Sequence, residues 1–296
     1  MGFKVSPDIE KNLEYIKEKF KDCDDVIYRN LEIGTEKRVK ISFVMIDGIA
    51  SKFEIADFAI ETLIQEGEVS ITDSDNFKEE FMKFILEKGI ANAEVRPEDD
   101  YDRIFNLILS GETLFLMDGV DTSIIIGTRG WTLRSITEPQ TETVIRGPRD
   151  GFTETLRTNT SLVRRRIKDT RFKIKMTKVG RRSQTDVAIL YIEDIVDEKL
   201  LNEVKRRLND VDIDAVLDSS ILEHLIEDNY LSIFPQVENT ERPDSVAASL
   251  YEGRVALIVD NSPFVLIVPA TIGTLLQSSE DYYNRWIDSS FIRLLR

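Results

Sequence analysis

The chain has 296 residues, 42% of them hydrophobic and 31% charged, and its 54 acidic side chains against 39 lysines and arginines give a formal net charge of -15. That balance is globular rather than disordered, leaves room for two domains of about 150 residues, and argues against nucleic acid as a partner. A single cysteine, Cys23, excludes an internal disulfide and a cysteine-based zinc site.

Met1 to Phe20 is charged and lacks a signal-peptide core; Ile9, Leu13, Ile16 and Phe20 recur instead at helical spacing. Two β-rich runs, Val26 to Ile33 and Val39 to Ile46, flank the polar turn Gly34-Thr35-Glu36-Lys37 and predict an antiparallel hairpin. A helix from about Ser51 to Gln65 and a strand near Glu68 to Ile71 would complete a β-α-β unit with a right-handed crossover. Helices are expected near Asp75 to Glu87 and Pro97 to Leu109, with Pro97 in the first turn. The hairpin Thr113 to Met117 and Ser123 to Ile126, turning at Asp118-Gly119, follows.

The order then repeats, with a helix near Thr155 to Lys168, a hairpin from Phe172 to Val179 and Val187 to Ile192, and a helix from Asp197 to Leu208. A strand near Ala215, helices near Ser219 to Glu227 and Pro243 to Leu250, and the hairpin Val255 to Val259 with Phe264 to Val268 complete it. The copies align at an offset of 146, which places Gly34 against Gly180 and Arg96-Pro97-Glu98 against Arg242-Pro243-Asp244. Beyond that it drops to 142, where Gly111 and Asp118-Gly119 meet Gly253 and Asp260-Asn261. Strands apolar on both faces need helices on both sides. The fold class is therefore α/β: two similar three-layer subdomains with mixed β-sheets, arising from an internal repeat. The first subdomain spans 1–140, a Pro- and Gly-containing linker 141–150, and the second 151–296, ending in an amphipathic helix. The apolar run from Phe264 to Leu276, broken by Pro269, is too short to span a bilayer.

The copies differ most in charge. Between Arg146 and Arg182 there are 13 lysines and arginines against 3 acidic residues. One reading is a solvated face that offsets the acidic lobes. The other is a docking surface for an anionic partner: a neighbouring subunit, phospholipid or a small carboxylate. Arginine favours such contacts through its planar, bidentate guanidinium. The candidate contact residues are Arg146, Arg149, Asp150, Glu154, Arg157, Asn159, Arg164 and Arg165, with Asp260 and Asn261 from the last hairpin.

Catalytic patterns are scarce. The only histidine, His224, has no imidazole partner for a metal and no nucleophile elbow to serve. Gly127-Thr128-Arg129-Gly130 follows a strand but lacks both the P-loop and the dinucleotide signatures. Asp22, Asp24 and Asp25 lack the spacing of a calcium loop. Neither a catalytic set, a metal site nor a cofactor is expected.

The block from Arg146-Gly-Pro-Arg-Asp-Gly-Phe through Arg164-Arg-Arg-Ile167 closely resembles the A subunit of bacterial spore germinant receptors, the GerA family. So do Gly253-Arg254-Val255-Ala256, Asp260-Asn261-Ser262-Pro263 and Glu280-Asp281-Tyr282-Tyr283-Asn284-Arg285-Trp286. The resemblance covers essentially the whole chain as the N-terminal region of that subunit. It implies lobes like those of substrate-binding proteins and a non-catalytic nutrient-sensing or signal-relay role. It also implies B and C subunits as partners, a homo-oligomer through the full-length A subunit, and a place at the spore inner membrane facing the cytoplasm. A ligand-binding module holding a small nutrient or ion between the subdomains is the alternative. An enzyme acting on a phosphorylated or carboxylate metabolite rests on the arginine cluster alone.

Overall fold

The computed structural model describes residues 3–33, 38–51, 77–87, 94–130, 138–139, 141–142, 147–228, 232, 234–271 and 273. The chain divides into two compact units, Met1–Trp131 with Lys168–Thr170, and Thr132–Ile167 with Arg171–Arg296.

In the first unit, α1 (Ile9–Lys19) is capped by the Asp8 carboxylate, which accepts the Glu10 and Lys11 N–H groups. Strands β1 (Val26–Ile33) and β2 (Val39–Ile46) pair antiparallel, as expected of two β-rich runs on either side of a polar segment. Then come α2 (Phe77–Glu87), β3 (Val95–Glu98), α3 (Tyr101–Ile108), β4 (Thr113–Met117) and β5 (Ser123–Ile126). The five strands lie in the order β1-β2-β4-β5-β3. Val44, Ile46, Leu114, Leu116 and Ile125 pack on one face under α1 and α3; Ile41, Phe43, Phe115 and Ile126 pack on the other with Phe81, Met82 and Ile85 of α2. Helices on both faces make three layers.

The second unit repeats this plan. It contains α4 (Leu156–Arg164), β6 (Phe172–Val179), β7 (Thr185–Ile192), α5 (Glu198–Asp210), α6 (Ser219–Ile226), β8 (Glu238–Thr240), α7 (Pro243–Tyr251), β9 (Val255–Val259) and β10 (Val265–Val268). Its strand order, β6-β7-β9-β10-β8, is the order of the first unit. Helices α4 and α7 cover Ala188, Leu190, Ala256 and Ile258 on one face, and α5 and α6 cover Val187, Ile189, Leu257 and Leu266 on the other.

Three expectations change. Every strand pairing among the described residues is antiparallel, so the sheets are not mixed. The expected strand near Ala215 is a loop whose carbonyls at Ile213 and Asp214 accept the Arg181 and Arg182 N–H groups at 2.8 Å. Val216 alone is buried there, and the exposed Asp212 and Asp214 before it suit a turn better than a strand. Its counterpart near Glu68 to Ile71, the helix from Ser51 to Gln65, the turn 34–37 and the C-terminal helix lie outside the described residues. Pro97 does not open a helix. It sits in β3 opposite Ile124, an edge position that needs no N–H from it, and α3 starts later because Asp100 caps it through the Asp102 N–H.

That last point resets the repeat. Val26 pairs with Ile46 and Phe172 with Ile192, an offset of 146; Glu98 pairs with Ser123 and Thr240 with Val265, an offset of 142. The four-residue difference therefore precedes β3, and Arg242-Pro243 corresponds to Asp100-Tyr101, not to Arg96-Pro97.

Candidate functional site

Four of the candidate residues, Glu154, Asn159, Asp260 and Asn261, meet at the N-terminal end of α4. The Asn159 side chain is fully buried; its Oδ1 accepts the Thr153 N–H at 2.8 Å and its amide donates to the Thr153 carbonyl. Asp260 accepts the Leu156 N–H at 3.1 Å, and the Asn261 N–H donates to the Glu154 carbonyl at 2.8 Å. Together these fix the first turn of α4 to the β9–β10 turn. The first unit makes the same contacts: Asn12 brackets Ser6, Asp118 accepts the Ile9 N–H, and the Gly119 N–H donates to the Pro7 carbonyl. Asn159, Asp260, Asn261 and the Glu154 backbone thus belong to the scaffold that both copies share.

The arginines are placed differently from one another. Arg164 is wholly buried, donates to the Phe172 carbonyl at 2.7 Å and lies 4.5 Å from the centre of that ring. Asp150 accepts two 2.6 Å hydrogen bonds from Arg166, a partly buried pair. Arg165 is half-buried, and burial, then the adjacent Arg166 charge, lowers its pKa from the ordinary arginine value. Arg149 is exposed and meets Glu138 at 3.3 Å; Arg157 is exposed on α4. Arg146 lies outside the described residues.

Five further cations of the basic belt face acidic partners within their own unit. Arg171 pairs with Asp194, Lys173 with Glu193, Lys178 with Asp186, Arg181 with Asp212 and Arg182 with Asp214. Exposed pairs add little stability, but they neutralise the local field that a docking patch would project.

A buried cluster escaped sequence analysis. Arg242, 1% exposed, donates to the carbonyls of Glu142 and Pro148, each at 3.2 Å, and to Asp244 at 2.7 Å. Thr240 donates to the Glu142 carboxylate at 2.7 Å, and the Thr141 N–H to Glu241 at 3.1 Å. These bonds hold residues 141–142 and 148, within the expected linker 141–150, against β8 and the start of α7. Burial raises the Glu142 pKa, a change only partly offset by Thr240 and Arg242. Sequence alone offered one signal, an arginine at a helix N-cap where an aspartate would be normal.

A cleft of about 240 Å³ opens between α5, α6 and the end of β10, floored by Leu200, Val204, Ile226, Val237 and Val268. At its rim, Arg207 is already bonded to Glu203, Asp228 and the Ile226 carbonyl. Among the described residues, no group of three or more His, Cys, Asp or Glu side chains is arranged to hold a metal, and no helix is long and apolar enough to cross a membrane.

A family model described as Bacillus/Clostridium GerA spore germination protein matches residues 14–296. Spore germination protein KA of Bacillus subtilis is 41% identical over 292 residues, 99% of this chain and 52% of that protein. GerLA of Bacillus cereus is 36% identical over 98% of this chain and 58% of its own length. The chain therefore spans a little over half the length of these curated relatives. The crystal structure of the N-terminal domain of the A subunit of the Bacillus megaterium spore germinant receptor GerK3 superposes with a TM-score of 0.71 at 30% identity, covering 92% of this chain and 98% of that one.

Proposed function

Because the chain belongs to the GerA family of spore germination proteins, we propose that it is the N-terminal part of a germinant-receptor A subunit that relays nutrient state to the remainder of that subunit without catalysis. Membership assigns it a role in spore germination. The relay reading adds B and C subunits as partners, oligomerisation through the full-length A subunit, and a cytoplasm-facing place at the spore inner membrane. The observation that supports it is the duplicated scaffold: Asn159, Asp260 and Asn261 repeat structural contacts of the first unit, while charge distinguishes the second. On this reading Arg146, Arg149 and Arg157 contact a neighbouring subunit.

Spores lacking their own receptor and complemented with the full-length gene provide the test. Arg149→Glu should slow nutrient-triggered germination while the purified chain melts as the parent does, since Arg149 is exposed and loses only one surface pair. Normal germination would remove Arg149 from the contact. The cleft floored by Leu200 and Val204 favours a second reading, a small ligand with an apolar side chain. Calorimetry of the chain with amino acids and sugars separates the two, saturable heat favouring the ligand module.

A further inference from the structure

The two units part company at one place where their backbones otherwise match. In the first unit the chain leaving β5 runs back over the turn that follows β2. Arg129 bridges Ala50, the Ser51 N–H donates to the Thr128 carbonyl at 2.8 Å, and the Gly130 N–H donates to the Ile49 carbonyl at 3.1 Å. Ile49 and Leu109 are buried, and Arg129 pairs with the buried carboxylate of Glu112 at 2.7 Å. Gly130 suits this close approach, because a Cβ there would stand 2.5 Å from that of Ser51.

The turn from Glu193 to Asp197 is built the same way in the second unit. Its Glu193 and Val196 N–H groups go to Arg171 and Ile192, as those of Asp47 and Ala50 go to Asp25 and Ile46. Among the described residues, however, no segment covers it as residues 128–130 cover the first. Pro269 stands where the first unit has Gly127, and the Ala270 N–H donates to the Gln236 carbonyl at 2.8 Å. Ile195, the counterpart of Ile49, is 44% exposed, and Tyr251, the counterpart of Leu109, is 55% exposed. The Asp197 N–H and Ile195 carbonyl, whose counterparts hold residues 128 and 130, have no hydrogen-bond partner among the described residues.

Charge is inverted at the same spot. Glu112 has Arg96 and Arg129 as partners; its counterpart Arg254, 6% exposed, has Glu238 at 2.6 Å and Glu252 at 3.0 Å. The Nε of Arg254 is buried without a hydrogen-bond partner among the described residues.

We propose that this edge of the second unit binds an extended peptide segment of a protein partner, as the first unit binds its own residues 128–130, and that the segment carries an acidic side chain where the first unit has Arg129. Backbone pairing to Ile195 and Asp197 supplies the frame, and covering Ile195 and Tyr251 removes apolar surface from water. The carboxylate adds to the acidic shell of Arg254, as Arg129 adds to the basic shell of Glu112. A glycine after the acidic residue permits the same close approach.

A labelled synthetic octapeptide with the sequence of residues 125–132, but glutamate in place of Arg129, is titrated with the 296-residue chain and followed by fluorescence anisotropy. The glutamate peptide should bind saturably, the unaltered arginine peptide about 10-fold more weakly, and Ile195→Asp, an exposed position, should abolish binding without changing the melting curve. Equal affinity for the two peptides, no saturation by about 1 mM, or binding that survives Ile195→Asp would overturn the proposal. A concentration-dependent dimer in sedimentation that Ile195→Asp dissociates would give the surface to a second copy of this chain, and so overturn the separate partner.

Discussion

Asn159 shows how a polar residue in an arginine-rich block can be a buried bracket rather than a ligand contact. Asn159→Ala leaves the Thr153 N–H and carbonyl without their partner and should cost about 2 kcal/mol, read as a lower urea midpoint; an unchanged midpoint would mean the bracket is dispensable. Glu238 and Arg254 form a partly buried pair at 2.6 Å. Glu238→Gln and Arg254→Met should each destabilise by roughly 2–4 kcal/mol, and the double variant by less than their sum, because the second change removes a charge the first left unpaired. Glu203 gives a pH signature. Hydrogen bonds from Arg206 and then Arg207 lower its pKa to about 2 from 4.5. The folded value lies below the unfolded one, so its contribution is present above pH 4.5 and is lost as the pH falls toward 2. Glu203→Gln should flatten that part of the acid-unfolding profile, by an amount that shrinks in high salt because the pair is exposed.

Element boundaries were legible where local chemistry decides them. The hairpins β1–β2 and β4–β5 fall where apolar runs and turn residues placed them. The start of α3 was not, because the same Arg-Pro dipeptide occupies an edge strand in one unit and a helix N-cap and first turn in the other. Proline's missing N–H is tolerated in both, so it cannot discriminate. Gly253 is better determined. Its φ is +85°, and a Cβ there would stand 2.9 Å from the Ile195 carbonyl oxygen. Gly253→Ala should therefore destabilise by about 1–3 kcal/mol, seen as a lower melting temperature. Retention of the parent value would show that the α7–β9 turn relaxes freely.

Across the whole molecule, two pairs of cores belong to two separate units. Gly253→Ala should accordingly raise amide exchange in β6 to β10 far more than in β1 to β5. Uniform acceleration would mean that the units unfold as one. The sequence by itself determined the duplication, the three-layer class and the scarcity of catalytic patterns, because turn chemistry and apolar periodicity are local and survive in each copy. Only the tertiary structure decided that every strand pairing among the described residues is antiparallel, that the four-residue offset precedes β3, and that much of the arginine belt is neutralised or buried within its own unit. Those outcomes depend on which distant residues meet: Arg181 with Asp212, Arg242 with Glu142, and Ile195, among the described residues, with no segment that covers it as residues 128–130 cover Ile49. Spacing along a chain does not specify such meetings; they are set when strands choose their neighbours in a sheet.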